Sequence, residues 1–379
     1  MRIVYLINGL NGGGAAFPMV QVIGLMRELG HEVRVAALLP QDRKAAARLD
    51  EAGIPYELLG ESEHDYLGPA LKLLRRLRSS RPDLLWTSLT RGTFYGQLAG
   101  RLLGIPVVSW QHSAYLKPGN RRLLRCTRGW SARWVADSVS VHDYAQAALG
   151  IAPAAIEVWP PFVADPASPA ASRWDGRAPL RLGTLGRLHP SKQYGVLLRA
   201  FARALALQPV LVGRVELLIG GDGPEAAGLA ALTRSLGLER SVRFVGFVER
   251  PAEFLAGLHG YLQTSLKEGF CIAAHEAMQA GLPVIATRVG ELAHSVRPAT
   301  TGWLCEVGDI EGLAQAIVAL AADPARAAAM GSAAREWVLD RYGRARFRAT
   351  GERLLRELET IAGSPPVPRT ARARAADAR

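Results

Sequence analysis

The chain has 379 residues, 49% of them hydrophobic and 21% charged, enough for two soluble domains with large cores. No apolar run is long enough to span a bilayer, no signal peptide is visible, and three widely spaced cysteines (Cys126, Cys271, Cys305) argue against a disulfide framework or a zinc site. The formal net charge is +12, and all of it falls in residues 66–136, where thirteen Lys/Arg face one acid, Asp83.

In chain order, a strand at 2–7 leads into a loop at 8–14 and a helix ending near Leu29, which Gly30 caps. Strand 32–38, helix 42–52 and a short strand at 55–59 follow. Next come helix 70–79, strand 84–88, helix 95–103, strand 106–111, a basic helix at 120–134, and strands 134–138 and 156–159. Pro, Ala and Ser then dominate 160–172. The alternation restarts with strand 180–185, helix 195–206, strand 215–219, helix 225–236 and strand 242–245. After the strands at 260–265 and 284–287, helices run at 310–321, 325–340 and 347–361. Repeated βαβ units with short connections predict parallel sheets covered on both faces. The expected organisation is a first domain at 1–163, a linker at 164–178, a second domain at 179–362 whose last helix returns to the first, and a disordered tail at 363–379.

The most informative stretch is Glu268-Gly-Phe-Cys-Ile-Ala-Ala-His-Glu276. It runs from a strand end into a helix, where open α/β sheets bind ligands. The amides of Gly269, Phe270, Cys271 and Ile272 would face an electron-rich ligand there. Two carboxylates suit hydroxyl groups of a sugar and a ribose. Arg187 and Lys192, in Gly186-Arg-Leu-His-Pro-Ser-Lys192 after another strand, could neutralise a diphosphate. His112 ends the strand at 106–111 and would point into a cleft. Gly12-Gly13-Gly14 lacks the dinucleotide spacing, and the second strand lacks a terminal acid, which argues against NAD. No metal-ligand spacing, nucleophile elbow or nucleic-acid module is visible.

The basic stretch has two helical parts. One sets Lys72, Arg75 and Arg76 beside a leucine stripe. The other sets Arg121, Arg122 and Arg125 around Leu123, Thr127, Trp130 and Trp134. Such helices fit either an anionic membrane surface or an ordinary core-facing stripe with arginines in water.

With these residues in view, the chain resembles family 4 of the retaining glycosyltransferases, which have the GT-B fold. The resemblance rests on Glu268-Gly-Phe with Glu276-Ala-Met (an E-x7-E motif), Gly186-Arg-Leu with Lys192, Gly220-Gly-Asp-Gly-Pro, Phe244-Val-Gly, Gly281-Leu-Pro-Val-Ile-Ala-Thr and Thr301-Gly-Trp-Leu. It implies two Rossmann-like doubly wound α/β domains facing a central cleft. It also implies transfer of a hexose-type sugar from a UDP- or GDP-linked donor to a glycan or lipid-linked acceptor, with no metal and no other cofactor. Arg187 and Lys192 would hold the diphosphate, Glu268 the sugar hydroxyls, and Glu276 the ribose. Gly13 and Gly14 would approach the phosphates, Phe247 would edge the base, and His112 would reach the sugar near its reacting carbon. The expected setting is bacterial cell-envelope or exopolysaccharide synthesis, in the cytoplasm or on the inner membrane face. A nucleotide-sugar epimerase and a non-catalytic sugar-nucleotide-binding subunit are the alternatives. The sequence departs from the family pattern at Cys271, Pro161-Phe162, His259-Gly260 and Glu291, where glycine is common at the first and last.

Overall fold

The computed structural model describes residues 1–10, 16–40, 45–62 and 64–363. The first sheet is β1 (Arg2–Gly9), β2 (Glu32–Leu39), β3 (Tyr56–Leu58), β4 (Leu84–Ser88), β5 (Val107–Gln111), β6 (Arg133–Ala136) and β7 (Ile156–Val158). The second is β8 (Leu180–Leu185), β9 (Val215–Gly220), β10 (Val242–Gly246), β11 (Gly260–Gln263), β12 (Val284–Thr287) and β13 (Gly302–Cys305). Every strand pair is parallel. The orders are β3-β2-β1-β4-β5-β6-β7 and β10-β9-β8-β11-β12-β13, so both sheets are doubly wound. Winding reverses between β1 and β4 in one sheet and between β8 and β11 in the other. The strands are near-continuous apolar runs because helices cover both faces.

Trp86, Trp110 and Trp159 pack together in the first core, with ring centroids 5.8 to 6.0 Å apart. The last helix, Arg344–Gly363, docks against this cluster. Phe347 lies 5.1 Å from the Trp159 ring, and its carbonyl accepts the Trp159 indole N–H at 3.1 Å. A side chain at Gly351 would collide with Trp159 and Leu25, so glycine is what allows this approach. Arg353–Glu157 and Arg133–Glu357 ion pairs flank the contact. By packing, the last helix belongs to the first domain. Phe162 and Ala164, by contrast, are buried in the second domain's core. The chain therefore crosses between domains twice, and the crossings touch. The Ala164 N–H donates to the Tyr342 carbonyl at 2.8 Å, and Ala164 bridges Gly343.

Two sequence expectations need correction. The basic helix stops at Thr127, a 3-10 turn covers Arg128–Trp130, and Trp134 lies buried in β6. The three- and four-residue spacing of Leu123, Thr127, Trp130 and Trp134 imitates a helix, but Trp134 is drawn into the sheet core. Trp130 is half-buried, and the Arg101 guanidinium sits 5.3 Å over its ring, so it is not offered to a membrane. Helix Val139–Tyr144, after β6, had no counterpart in the sequence reading. The expected tail lies outside the described residues from 364 on, and the last helix runs through Gly363.

Candidate active site

The switch between β8 and β11 brings Lys192 and Glu268 together, with Arg187 on the same loop as Lys192 and Glu276 in the helix that follows Glu268. Lys192 leaves β8 through a 3-10 turn, and Glu268 leaves β11 in a loop. The Lys192 ammonium lies 2.6 Å from Glu268 Oε1. Ser265 Oγ donates to the same oxygen at 2.5 Å and Gln263 Nε2 at 3.2 Å. Glu268 Oε2 has no such partner among the described residues. Burial would lower the lysine pKa, but the Glu268 carboxylate outweighs it and holds the ammonium above its ordinary value. A fixed cation beside a carboxylate with a free oxygen can take a sugar diphosphate.

Glu276 lies half-buried one turn into helix Ile272–Gln279, with no hydrogen-bond or ion-pair partner among the described residues. Burial pushes its carboxyl up to about 7, and the charge of Arg48, from the first domain, opposes the rise. Arg187 is exposed and likewise unpaired among the described residues. A polar group held without a partner in a cleft is a place for a ligand to bind.

Glycines set the backbone around this site. Side chains at Gly221 and Gly223 would strike the carbonyls of Gly186 and Leu188, so the Gly220–Pro224 turn braces the loop that carries Arg187. Cys271 adopts a left-handed φ of 65° just before the helix, a conformation that favours glycine. Its thiol is buried beside Glu268 and Lys192 and is pushed far above the ordinary range, chiefly by burial. Phe270 is buried and stacks on His275 at 4.0 Å, so it supports the loop from behind; Gly269 and Ile272 lie on the loop and at the helix start. Phe247 is exposed just past β10. Gly13 and Gly14 fall outside the described residues.

The carboxyl ends of the two sheets face one another across this site. A side chain at Gly269 would strike the His112 carbonyl. Lys267 Nζ stands 3.5 Å over the Tyr115 ring. Glu291 Oε2 accepts the Val139 N–H at 3.1 Å, while Tyr342 donates to Oε1 at 3.3 Å. The Glu291 carboxyl is raised by burial, and His294 and the amides of Ser140 and Val139 moderate the rise. Ser265, Gln263, Arg48, Tyr115, Lys267 and a role for Glu291 were not found from sequence. Glu291 stood out only as a charge where glycine is common.

His112 does not point freely into the cleft. Both its ring nitrogens are engaged inside the first domain, by Asp137 and Ser88. On the outer surface, Arg121, Arg122, Arg125 and Arg128 line an open hollow of about 620 Å³. Lys72 and Arg76 are paired instead, with Glu61 at 2.9 Å and Glu57 at 2.8 Å. Arg75 is exposed. Among the described residues, no three His, Cys, Asp or Glu cluster as a metal would need, and no helix is long and apolar enough to cross a membrane.

Two facing doubly wound domains with a charged site at a strand switch define the GT-B class of α/β protein. Residues 176–337 match the family "Glycosyl transferases group 1", and residues 12–165 match "Glycosyltransferase Family 4". Among curated proteins, the N-acetyl-alpha-D-glucosaminyl L-malate synthase of Bacillus anthracis is 37% identical over 146 residues, which is 38% of this chain and 36% of that protein. The GDP-mannose-dependent alpha-(1-6)-phosphatidylinositol monomannoside mannosyltransferase of Mycolicibacterium smegmatis is 30% identical over 280 residues, 63% of this chain and 70% of that protein. The crystal structure of Anabaena HepE in complex with UDP and glucose superposes with a TM-score of 0.82 at 20% identity, covering 95% of this chain and 100% of that one. The chain belongs to the group 1, family 4 glycosyltransferases.

Proposed function

We propose that the protein is a retaining glycosyltransferase that moves a hexose-type sugar from a nucleoside diphosphate donor to a glycan or lipid-linked acceptor. The observation that carries this is the partly buried Lys192–Glu268 pair at the β8/β11 switch. Arg187 and Glu276, unpaired among the described residues, stand on the Lys192 loop and on the helix after Glu268. Lys192 and Arg187 would take the charge that develops on the leaving diphosphate, which removes the need for a metal. Glu268 Oε2 would accept sugar hydroxyls, and Glu276 would accept the ribose diol. The helix start at Ile272 would add backbone N–H donors. Retention would follow from attack by the acceptor on the face the diphosphate leaves. Relatives named for GDP-mannose-dependent transfer and a neighbour crystallised with UDP and glucose support a sugar-nucleotide donor.

The acceptor would dock on the first domain. The arginines of helix Pro118–Thr127 that line the hollow support an anionic or lipid-linked acceptor at a cytoplasmic membrane face, in envelope or exopolysaccharide synthesis. The test is a panel of UDP- and GDP-sugars incubated with lipid-linked acceptors, with EDTA present, followed by NMR of the product's anomeric coupling. Acceptor-dependent consumption of one donor with its configuration kept is expected. Turnover without acceptor would instead indicate epimerisation. Donor binding without turnover would indicate a non-catalytic subunit.

A further inference from the structure

The carboxyl ends of β4, β5 and β6 carry a buried polar string. Ser88 ends β4, His112 follows β5 and Asp137 follows β6. These strands are adjacent and parallel, so the three side chains meet. His112 Nδ1 lies 2.9 and 3.0 Å from the two Asp137 oxygens, and Nε2 contacts Ser88 Oγ. The ring stacks on Trp110 at 5.1 Å. Ser88 is 0% exposed and Asp137 3%. A hydrolase triad needs an accessible serine, which Ser88 is not. The member nearest the cleft is His112, whose carbonyl abuts Gly269, next to Glu268.

An ionised carboxylate only accepts, so contact with Asp137 places a proton on Nδ1. Nε2 is then left as the variable end of the ring, held by Ser88. We propose that Asp137 is a positioning residue for sugar transfer: it fixes the His112 tautomer and ring plane so that Nε2 can exchange Ser88 for a hydroxyl of the donor sugar. This rests on the glycosyltransferase reading. Burial pushes the Asp137 carboxyl up, and the imidazole opposes the rise. The other titratable group facing the string is Tyr5 of β1, beside Ser88; burial holds its hydroxyl far above the ordinary range.

The test uses the full chain labelled with ¹⁵N-histidine, with the His112 signals assigned by their loss in His112→Ala. The wild type should show the proton on Nδ1, and Asp137→Asn should move it to Nε2. Asp137→Asn should also lower kcat about tenfold, as loss of one hydrogen bond made in the transition state would, with donor KM within about twofold and a displaced pH profile. In the His112→Ala background it should cost nothing further. An unchanged tautomer, or losses that add in the double variant, overturns the proposal. If Asp137→Asn does not fold, Ser88→Ala decides: it keeps the carboxylate and should keep the Nδ1 proton, and a switched tautomer there would show that Asp137 does not set it. The NMR readout needs no turnover, so its failure is separable from failure of the transferase reading.

Discussion

Both sheets bring strand ends to one cleft, but they leave different groups unsatisfied there. In the second domain, Glu268 keeps an open oxygen, and Glu276 and Arg187 have no partner among the described residues. In the first domain, Ser88, His112 and Asp137 contact one another; Ser88 and Asp137 are buried and His112 is half-buried. Charged groups on one side have no protein partner among the described residues; polar groups on the other are engaged with one another. Substitutions in the second domain should therefore affect donor binding first, and those on the first domain's surface should affect partner binding only.

The largest effect should come from Lys192→Ala or Glu268→Ala. Each strips one partner from a partly buried pair, which costs about 2 kcal/mol of stability by thermal or denaturant melting and lowers kcat/KM about a hundredfold or more. The double variant Lys192→Met/Glu268→Gln should melt above either single one. If it melts below both, the pair is not the unit described here.

A smaller effect is expected at Glu276. Its carboxyl titrates near 7, above the unfolded value of 4.5, so the folded state holds an extra proton between these pH values. Stability from this group is full below about 4.5 and falls as pH rises to 7. Its neighbour His275 is pushed down to about 4 by burial, so its contribution runs the other way, rising with pH between about 4 and 6.5. The two slopes oppose each other in wild type. Glu276→Gln should expose the histidine slope and gain about 1–2 kcal/mol over wild type at pH 8, while donor KM rises about tenfold. A stability difference that does not grow with pH would contradict the unpaired acid.

The smallest change in the folded chain should come from Arg121→Glu/Arg122→Glu/Arg125→Glu. These exposed positions should move stability by less than about 0.5 kcal/mol each, yet abolish co-sedimentation with anionic vesicles. Equal binding of wild type to neutral and anionic vesicles would remove the electrostatic docking.

The alternation of strands and helices was legible because fully buried parallel strands read as apolar runs between glycine and proline breaks. The second-domain site was legible for a related reason: Lys192, Glu268 and Glu276 lie in short motifs attached to strand ends. What the sequence hid depends on which strands become neighbours. Ser88, His112 and Asp137 are 24 and 25 residues apart along the chain and meet only through sheet order. All three lie at or just past strand ends, and that signal was available. The partners of Lys72 and Arg76, Glu61 and Glu57, lie just outside the basic stretch, so a linear charge window overstated the free charge. Trp130 misled because a tryptophan at helical spacing reads as a free apolar face until Arg101 is seen covering it.

The contact of Ala164 with Tyr342 and Gly343 ties the outgoing and returning chains at one point. Both connections between the lobes pass through that knot, as the blades of a pair of shears meet at the rivet. A chain cut after Gly343 would lose the returning arm together with the lid over Trp159. The cost of such a truncation would fall on the first domain's core, away from Lys192 and Glu268.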